Sequence, residues 1–231
     1  MSRFSSDTDF IKPVADLMTS LFVVFVLLLL AYINRSYHET KAATVSIRDH
    51  LYSQLQNAHI DTKYNTKDPL ELLVPIADSD LEFDLAKSEL KAGGMLFLKS
   101  FVPRLAHVLI DGPDSKNIQS LIIEGHTDST GADESNLRLS QDRSYQVLKF
   151  VLNDSGLKPG ERDFFLERAS ANGRGERDLL SENSIPGSEN KSQSRRVEIK
   201  IRLRSYEQRA MTASADRMKS VSKEPFSNAP E

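Results

Sequence analysis

The chain has 231 residues, no cysteine, and 30 Lys and Arg residues against 33 Asp and Glu residues. The lack of cysteine excludes disulfides and the usual thiolate zinc sites, and the weakly negative net charge gives no reason to expect a nucleic-acid partner. This length suits one ordinary domain with additional segments.

A long apolar segment near the N-terminus contradicts the polar average of the chain. Of the 20 residues 14–33, 17 are apolar, and a helix of that length spans about 30 Å, the thickness of a bilayer's hydrocarbon core. Because the segment is longer than the apolar region of a cleaved signal peptide, we predict an uncleaved transmembrane helix over residues 13–34. A short cytoplasmic N-terminus, residues 1–12, precedes it. Two Lys or Arg residues lie before the span and three lie in the next 15 residues, so flanking charge does not determine the orientation.

Asp16 is an acidic residue within this apolar segment. Thr19 and Ser20 follow three and four positions later, so the three side chains share one face of a helix. A carboxylate at the bilayer centre costs about 2.5–3.5 kcal/mol on insertion scales and usually marks an ion path or an intramembrane partner. Asp16 is therefore a candidate ion-translocating residue, with Thr19 and Ser20 as its neighbours on the path. The alternative is that Asp16, near the end of the span, reaches the lipid headgroups.

The next segment, residues 35–69, is predicted to be a helical linker. Its apolar residues recur every four positions and form one thin face, at Ile47, Leu51 and Leu55. We expect the folded domain at residues 70–204. Residues 205–231 are polar and poor in apolar side chains, so we predict a flexible tail.

The apolar pattern within residues 70–204 predicts separated strands and helices. We expect strands at residues 70–74, 81–83, 118–124, 164–171 and 197–203, and helices at residues 95–110 and 133–153. The last strand alternates strictly, so its apolar residues should face inward and its charged residues outward: Val197, Ile199, Ile201 and Leu203 against Arg196, Glu198, Lys200 and Arg202. About 135 residues suffice for one core, and this order of elements implies an α+β sandwich.

The candidate binding site lies between Ile122 and Val147. A loop containing Thr127 and Asp128 follows a strand, and the next helix carries a continuous polar stripe, at Asn136, Ser140 and Arg143. One carboxylate beside one guanidinium suits a zwitterion, because the carboxylate binds an ammonium group and the guanidinium holds a carboxylate. The alternative is that Asp128 and Arg143 pair with each other, and spacing alone leaves both readings open.

The sequence offers little support for catalysis or for a bound cofactor. His126 and Asp128 are half of a possible metal site, but the other histidines are scattered and no HExxH spacing exists. The chain has no Walker sequence, no GxSxG elbow and no cysteine nucleophile. We therefore expect no metal, no cofactor and no enzymatic activity.

Four sequence segments resemble the OmpA-like peptidoglycan-binding domain. They are IEGHTDSTG at 123–131, the N-L-R-L-S-x-x-R pattern at 136–143, GRGE at 173–176 and RRVEI at 195–199. The resemblance covers about residues 70–204 and implies a βαβαββ fold that binds the diaminopimelate of the peptidoglycan stem peptide. By this resemblance Asp128 binds the ammonium group of the ligand and Arg143 its carboxylate. The remaining pocket positions are Asn136, Thr127, Ser140 and Arg195.

One position departs from the pattern of the OmpA-like family. Ser194 stands where the family usually has Asn, so the hydrogen bonding of that wall of the pocket should differ. Peptidoglycan lies in the bacterial periplasm. The resemblance therefore implies a single-pass inner-membrane protein with a cytoplasmic N-terminus and a periplasmic C-terminal domain.

The apolar helix is similar to the transmembrane helix of MotB-like stator subunits, in which an Asp at this place carries the translocated ion. The segment that carries the similarity is Ala15 to Thr19 with the apolar run that follows. Flagellar members usually have a Trp ahead of this Asp and a strongly basic cytoplasmic end, and this chain has neither. Its short N-terminus, Asp-bearing anchor and compact domain more closely resemble the ZorB subunits of Zorya anti-phage defence systems.

The stator resemblance implies a set of partners. Two copies of the chain would form a self-dimer inside a ring of five MotA-like, ZorA-type multi-span membrane subunits, with no direct nucleic-acid contact. Asp16 would then load and release a proton or a sodium ion. Two alternatives are a flagellar stator subunit and a passive tether between membrane and peptidoglycan without ion transport.

Overall fold

The computed structural model describes residues 6–84, 86–182 and 188–221. It divides into two compact units, Met1–Ala43 and Thr44–Glu231. The first five residues of the predicted N-terminal segment and the last ten residues of the predicted tail lie outside the described residues.

Helix α1 (Ser6–Asn57) contains the whole predicted transmembrane segment. Its apolar part, Val14–Ser36, has 23 residues, and none of it is buried inside the structure. An apolar helix of this length with an exposed surface fits a single membrane span. The predicted N-terminal helix is thus confirmed.

The second unit begins well before the predicted domain boundary at residue 70. Leu51 and Leu55 of α1 and Ile60 after it are fully buried in the core of this unit, and Ile47 packs against that core. The prediction of a separate linker over residues 35–69 is therefore wrong for its second half. The thin apolar face of the helix exists because it has the domain core to pack against.

The remaining elements of the second unit are strands and helices in mixed order. In chain order they are β1 (Lys63–Tyr64), β2 (Glu71–Ala77), α2 (Asp78–Leu81), α3 (Ala92–Ala106), β3 (Ile118–His126), α4 (Asp133–Asn153), α5 (Pro159–Arg168), β4 (Ala169–Gly173), α6 (Lys191–Ser194), β5 (Arg196–Leu203) and α7 (Tyr206–Val221). The helix predicted over residues 133–153 has the predicted bounds. The helix predicted over residues 95–110 corresponds to α3 and the π-helical turn that continues it.

The five strands form one sheet with the order β1-β2-β5-β3-β4. Strand β3 is parallel to β4, and all other neighbouring strands are antiparallel. Apolar residues of α3 and α4 share one buried cluster with the apolar face of β3 and β5. The domain is therefore a sheet covered by helices on its apolar face, which confirms the predicted α+β class.

Two predicted strands are partly helical. Residues 81–83 were expected to be extended, but α2 runs to Leu81, and Glu82 ends it in the left-handed region at φ 50°. Acidic residues in its first turn favour this helix start. The strand expected at residues 164–171 begins only at Ala169, because Pro159 begins α5 and the Glu161 carboxylate accepts a hydrogen bond from the backbone N–H of Lys158.

The predicted flexible tail begins with a helix rather than an irregular segment. Ser205 and Gln208 form a reciprocal cap at the start of α7: the Ser205 hydroxyl accepts from the Gln208 N–H at 3.3 Å, and the Gln208 side chain accepts from the Ser205 N–H at 2.9 Å. The lack of an apolar face suggested disorder, whereas capping is a local signal independent of such a face. The rest of the predicted tail, residues 222–231, lies outside the described residues.

Strand β5 shows that both faces of the sheet are covered near the site. Its predicted inward residues are all buried in the core: Val197, Ile199, Ile201 and Leu203. The prediction that Arg196 and Glu198 face solvent is wrong, since both are buried. The Arg196 Nε lies 2.6 Å from Glu198 Oε1, and its Nη1 donates to the carbonyl oxygens of Asp178 and Ser194. The chain around Asp178 therefore covers this end of the charged face.

Candidate functional site

A cavity of about 550 Å³ opens where the loop after β3 meets helix α4. Five of the residues predicted to bind ligand line it: Thr127, Asp128, Asn136, Arg143 and Arg195. Strand β3 ends just before this loop. Arg195 directly precedes β5, which is the neighbour of β3 in the sheet. The sheet register therefore brings together groups that lie almost 70 residues apart in the chain.

Asp128 is held by the opposite wall of the cavity. Its Oδ2 lies 2.7 Å from the Nη1 of Arg195, and its Oδ1 accepts a hydrogen bond from the backbone N–H of Thr130 at 3.0 Å. Burial raises the pKa of Asp128, but the hydrogen bonds from Arg195 and Thr130 outweigh it and place the pKa below its usual value. Asp128 is thus a fixed anionic group in the cavity at neutral pH.

Arg143 is buried, and each of its three guanidinium nitrogens donates one hydrogen bond. It pairs with Asp78 at 3.0 Å and donates to the carbonyl oxygens of Lys87 and Asp84. The guanidinium also lies over the ring of Phe83, 4.8 Å from its centroid. These bonds use three of the five N–H groups of an arginine, so hydrogen-bonding capacity remains for a ligand. Asp128 is therefore not the partner of Arg143, as the alternative reading of the spacing required.

Asp78 is a site residue that sequence reasoning missed. Besides its pair with Arg143, its Oδ2 lies 3.7 Å from the Nε of Arg195, so it bridges the two arginines. Burial raises the pKa of Asp78 above its usual value, against the lowering effect of both guanidinium groups. Asp78 does not line the cavity itself, and no motif marks this residue, because only the antiparallel pairing of β2 with β5 brings it beside Arg195.

Asn136 and Thr127 also contribute polar groups to the lining of the cavity. The Asn136 amide donates to Glu176 at 2.8 Å, which ties α4 to the turn after β4. The backbone N–H of Thr127 donates to the Gly175 carbonyl at 3.0 Å. Among the described residues, the buried Thr127 hydroxyl has no hydrogen-bond partner, so a ligand could supply one.

Ser140 does not line the cavity, and its predicted binding role is wrong. It is fully buried, its hydroxyl donates to the Leu137 carbonyl, and the hydroxyl oxygen accepts from the Gly175 N–H at 2.9 Å. A Cβ atom at Gly125 would overlap the Ser140 carbonyl oxygen. Ser140 therefore lies where α4 packs most closely on the sheet, and its hydroxyl is used by contacts within the domain.

The charged face of the sheet holds a buried cluster apart from the cavity. His126 Nε2 lies 3.3 Å from Glu124 Oε1 and 3.7 Å from Glu198 Oε2. His126 is therefore grouped with these two glutamates and not with Asp128, which was its partner in the possible metal site. The three side chains have ligand types and separations that a metal could use, but the Lys200 ammonium already lies 2.5 Å from Glu124 Oε1. Burial raises the pKa of Glu124, yet the hydrogen bonds from His126 and Lys200 lower it to about 2.

The three candidate ion-path residues lie within the apolar part of α1. The hydroxyl of Thr19 donates to the Ala15 carbonyl at 2.7 Å, and that of Ser20 donates to the Leu17 carbonyl at 2.9 Å. Such bonds to the preceding turn satisfy hydroxyl groups inside a helix without any partner chain. Asp16 is exposed on the surface of the helix.

Comparisons with known proteins agree with this domain architecture. Residues 87–193 match the model of the OmpA family. Outer membrane porin F of Pseudomonas aeruginosa is 31% identical over 122 residues, which cover 53% of this chain and 30% of that protein. Outer membrane protein A of Serratia marcescens is 30% identical over 133 residues, which cover 54% of this chain and 33% of that protein. The chain thus spans about a third of the length of these two relatives.

A solved structure was also found to be similar. The periplasmic domain of Helicobacter pylori MotB aligns with a TM-score of 0.44 and 19% sequence identity, over 69% of this chain and 88% of that one. The family match covers α3, β3, α4, α5 and β4 together with the cavity residues on them. Residues 87–193, which contain most of the residues that line the cavity, are therefore similar to the OmpA family.

Proposed function

We propose that this chain is a stator subunit of an ion-driven motor in the bacterial inner membrane, anchored to peptidoglycan by its OmpA-like domain. The observation that carries the proposal is the combination, in one chain, of an Asp in an exposed apolar helix with a cavity that holds separate anionic and cationic groups. The N-terminus is then cytoplasmic, the domain is periplasmic, and Asp16 carries a proton or a sodium ion. The chemistry of the cavity and the position of Asp16 support the two halves separately.

The cavity suits the zwitterionic end of diaminopimelate. Asp128 offers a carboxylate to an ammonium group, while Arg143 and Arg195 offer guanidinium N–H groups to a carboxylate. These groups are already held by one another, as the pairs Asp128–Arg195 and Asp78–Arg143 show. A ligand therefore meets side chains in fixed positions, which lowers the entropic cost of binding.

Wall binding is tested by removing the charge of Asp128. The full chain in detergent, carrying Asp128→Asn, should lose at least about tenfold in affinity for purified diaminopimelate-type peptidoglycan in a sedimentation assay, since losing one partner of a desolvated charge pair costs several kcal/mol. Asp142→Asn is the matched control, because this exposed α4 residue lies outside the cavity and pairs only at 4.0 Å with Arg138. Equal binding by both variants would remove the cavity from the proposal.

The motor half of the proposal depends on Asp16. Each charge that crosses about 100 mV releases about 2.3 kcal/mol, which is the work available to turn a ring of five MotA-like, ZorA-type subunits around two copies of this chain. The stator resemblance supports these partners. Because the chain has no Trp, whereas flagellar stators usually have one ahead of this Asp, we assign it to a Zorya-type anti-phage system rather than to a flagellum.

Asp16→Asn separates a motor from a passive tether. Asn has the volume of Asp but cannot take up and release a proton, and a neutral residue lowers the insertion cost of the span. With its partner subunit in bacterial membranes, the variant should insert, assemble and bind the wall normally, yet lose ion flux and phage protection. Asp16→Glu keeps the titratable group and should retain part of the activity. Full protection by Asp16→Asn at normal expression would leave the tether as the function.

A further inference from the structure

Lys191 is a cation at the cavity whose charge the site described above does not use. It is the first residue of α6 and lines the same cavity as Asp128 and Arg143. Its ammonium donates a hydrogen bond to the hydroxyl of Thr130 at 3.1 Å. Within the described ranges, no carboxylate forms an ion pair with Lys191. A neutral hydroxyl satisfies one donor of the ammonium but leaves its charge uncompensated.

The backbone around Lys191 is fixed against the loop that carries Asp128. The Glu189 carboxylate accepts hydrogen bonds from the N–H and the hydroxyl of Ser129, at 3.0 and 2.5 Å. The backbone N–H of Asn190 donates to the Leu180 carbonyl at 2.7 Å. Lys191 therefore extends from a well-anchored turn beside the loop that carries Asp128.

The ammonium of Lys191 is the one cation of the cavity lining without a carboxylate partner among the described residues. Asp128 pairs with Arg195 at 2.7 Å, and Arg143 pairs at 3.0 Å with Asp78, which does not itself line the cavity. The Glu189 carboxylate is held by Ser129 rather than by Lys191. A ligand with one ammonium and one carboxylate uses the charges of Asp128 and Arg143. A further carboxylate at the cavity edge would have Lys191 as its partner.

We propose that Lys191 binds the C-terminal carboxylate of the stem peptide, so that the cavity prefers a peptide with this carboxylate over the same peptide with an amide. This inference rests on the proposed function of the cavity as a diaminopimelate site. Lys191 is exposed, and a solvent-exposed ion pair corresponds to a preference of about two- to fivefold. Added salt should weaken this preference, because exposed charges are screened.

The test uses two synthetic peptides and the full chain in detergent. The peptides are L-alanyl-γ-D-glutamyl-meso-diaminopimelyl-D-alanine and its C-terminal carboxamide, and their affinities are measured by calorimetric titration at low and high salt. The unmodified chain should bind the free acid about two- to fivefold more tightly at low salt. Lys191→Met should weaken binding of the acid alone and so abolish the preference, whereas Lys191→Arg should keep it. Lys99→Met, an exposed lysine of α3 outside the cavity, is the matched control.

The outcomes distinguish this inference from the proposed function. If the unmodified chain binds neither peptide, the diaminopimelate site is wrong and the role of Lys191 falls with it. If it binds both peptides equally, or if Lys191→Met keeps the preference, the cavity binds the stem peptide but Lys191 does not recognise its C-terminal carboxylate.

Discussion

Glu124 gives the most quantitative prediction about the stability of the domain. Its side chain is buried on the charged face of the sheet, beside His126 and Lys200, and it also accepts a hydrogen bond from the Asn172 amide at 3.1 Å. These partners lower its pKa from 4.5 to about 2. At about 1.4 kcal/mol per pKa unit, the shift corresponds to about 3 kcal/mol of folding free energy at neutral pH.

The sign of the pH dependence follows from the direction of the shift. Because the folded state holds the carboxylate charged more strongly than the unfolded state does, the stabilisation is present above the unfolded pKa of about 4.5 and is lost as pH falls toward 2. Glu124→Gln removes the charge without changing the size of the side chain. We expect the variant to be about 3 kcal/mol less stable at pH 7, or about 6–12 °C lower in Tm for a domain of this size. The difference should shrink steadily between pH 5 and pH 2.

The assay uses a fragment of residues 44–231, the second compact unit. Its urea and thermal unfolding are monitored by circular dichroism at several pH values. Glu89→Gln is the control, because Glu89 is exposed and surface substitutions usually change stability by less than about 0.5 kcal/mol. A Glu124→Gln variant as stable as the unmodified fragment at pH 7 would refute the reasoning. A difference that stays constant down to pH 2 would show that the cluster acts through packing rather than through charge.

Three further predictions test the packing around the site. Ser140→Ala should destabilise the fragment by about 1–3 kcal/mol in urea unfolding, because the buried N–H of Gly175 loses its acceptor, yet peptidoglycan sedimentation should be unchanged once the variant is folded. Gly125→Ala should cost about 1–3 kcal/mol or prevent folding, since the added methyl group overlaps the α4 backbone; an unchanged Tm would contradict that close approach. Deleting residues 206–231 should leave the Tm within about 2 °C, because none of the α7 side chains that the structure describes belongs to the core, and a drop of about 5 °C would show that this helix packs on the domain.

The local elements of this protein could be predicted from the sequence because their signals are local. The apolar run of residues 14–33, the bounds of α4 and the inward residues of β5 follow from the length and periodicity of apolar side chains. The motifs also placed two arginines near Asp128. They did not show that Arg195 rather than Arg143 would be its partner. Cavity residues on one helix face are predictable because the helix repeat fixes their spacing.

Only the tertiary structure decided which groups meet. Asp78 reaches Arg143 through the pairing of β2 with β5, and Ser140 is removed from the cavity by the close approach of α4 to Gly125. Both facts depend on strand register and on the distance between helix and sheet, which no local pattern encodes. The domain begins before residue 70 for the same reason. The apolar face that contains Leu51 is buried because the rest of the domain packs against it. Which side chains contact each other therefore depends on residues far apart in the chain, and it follows only from the complete fold.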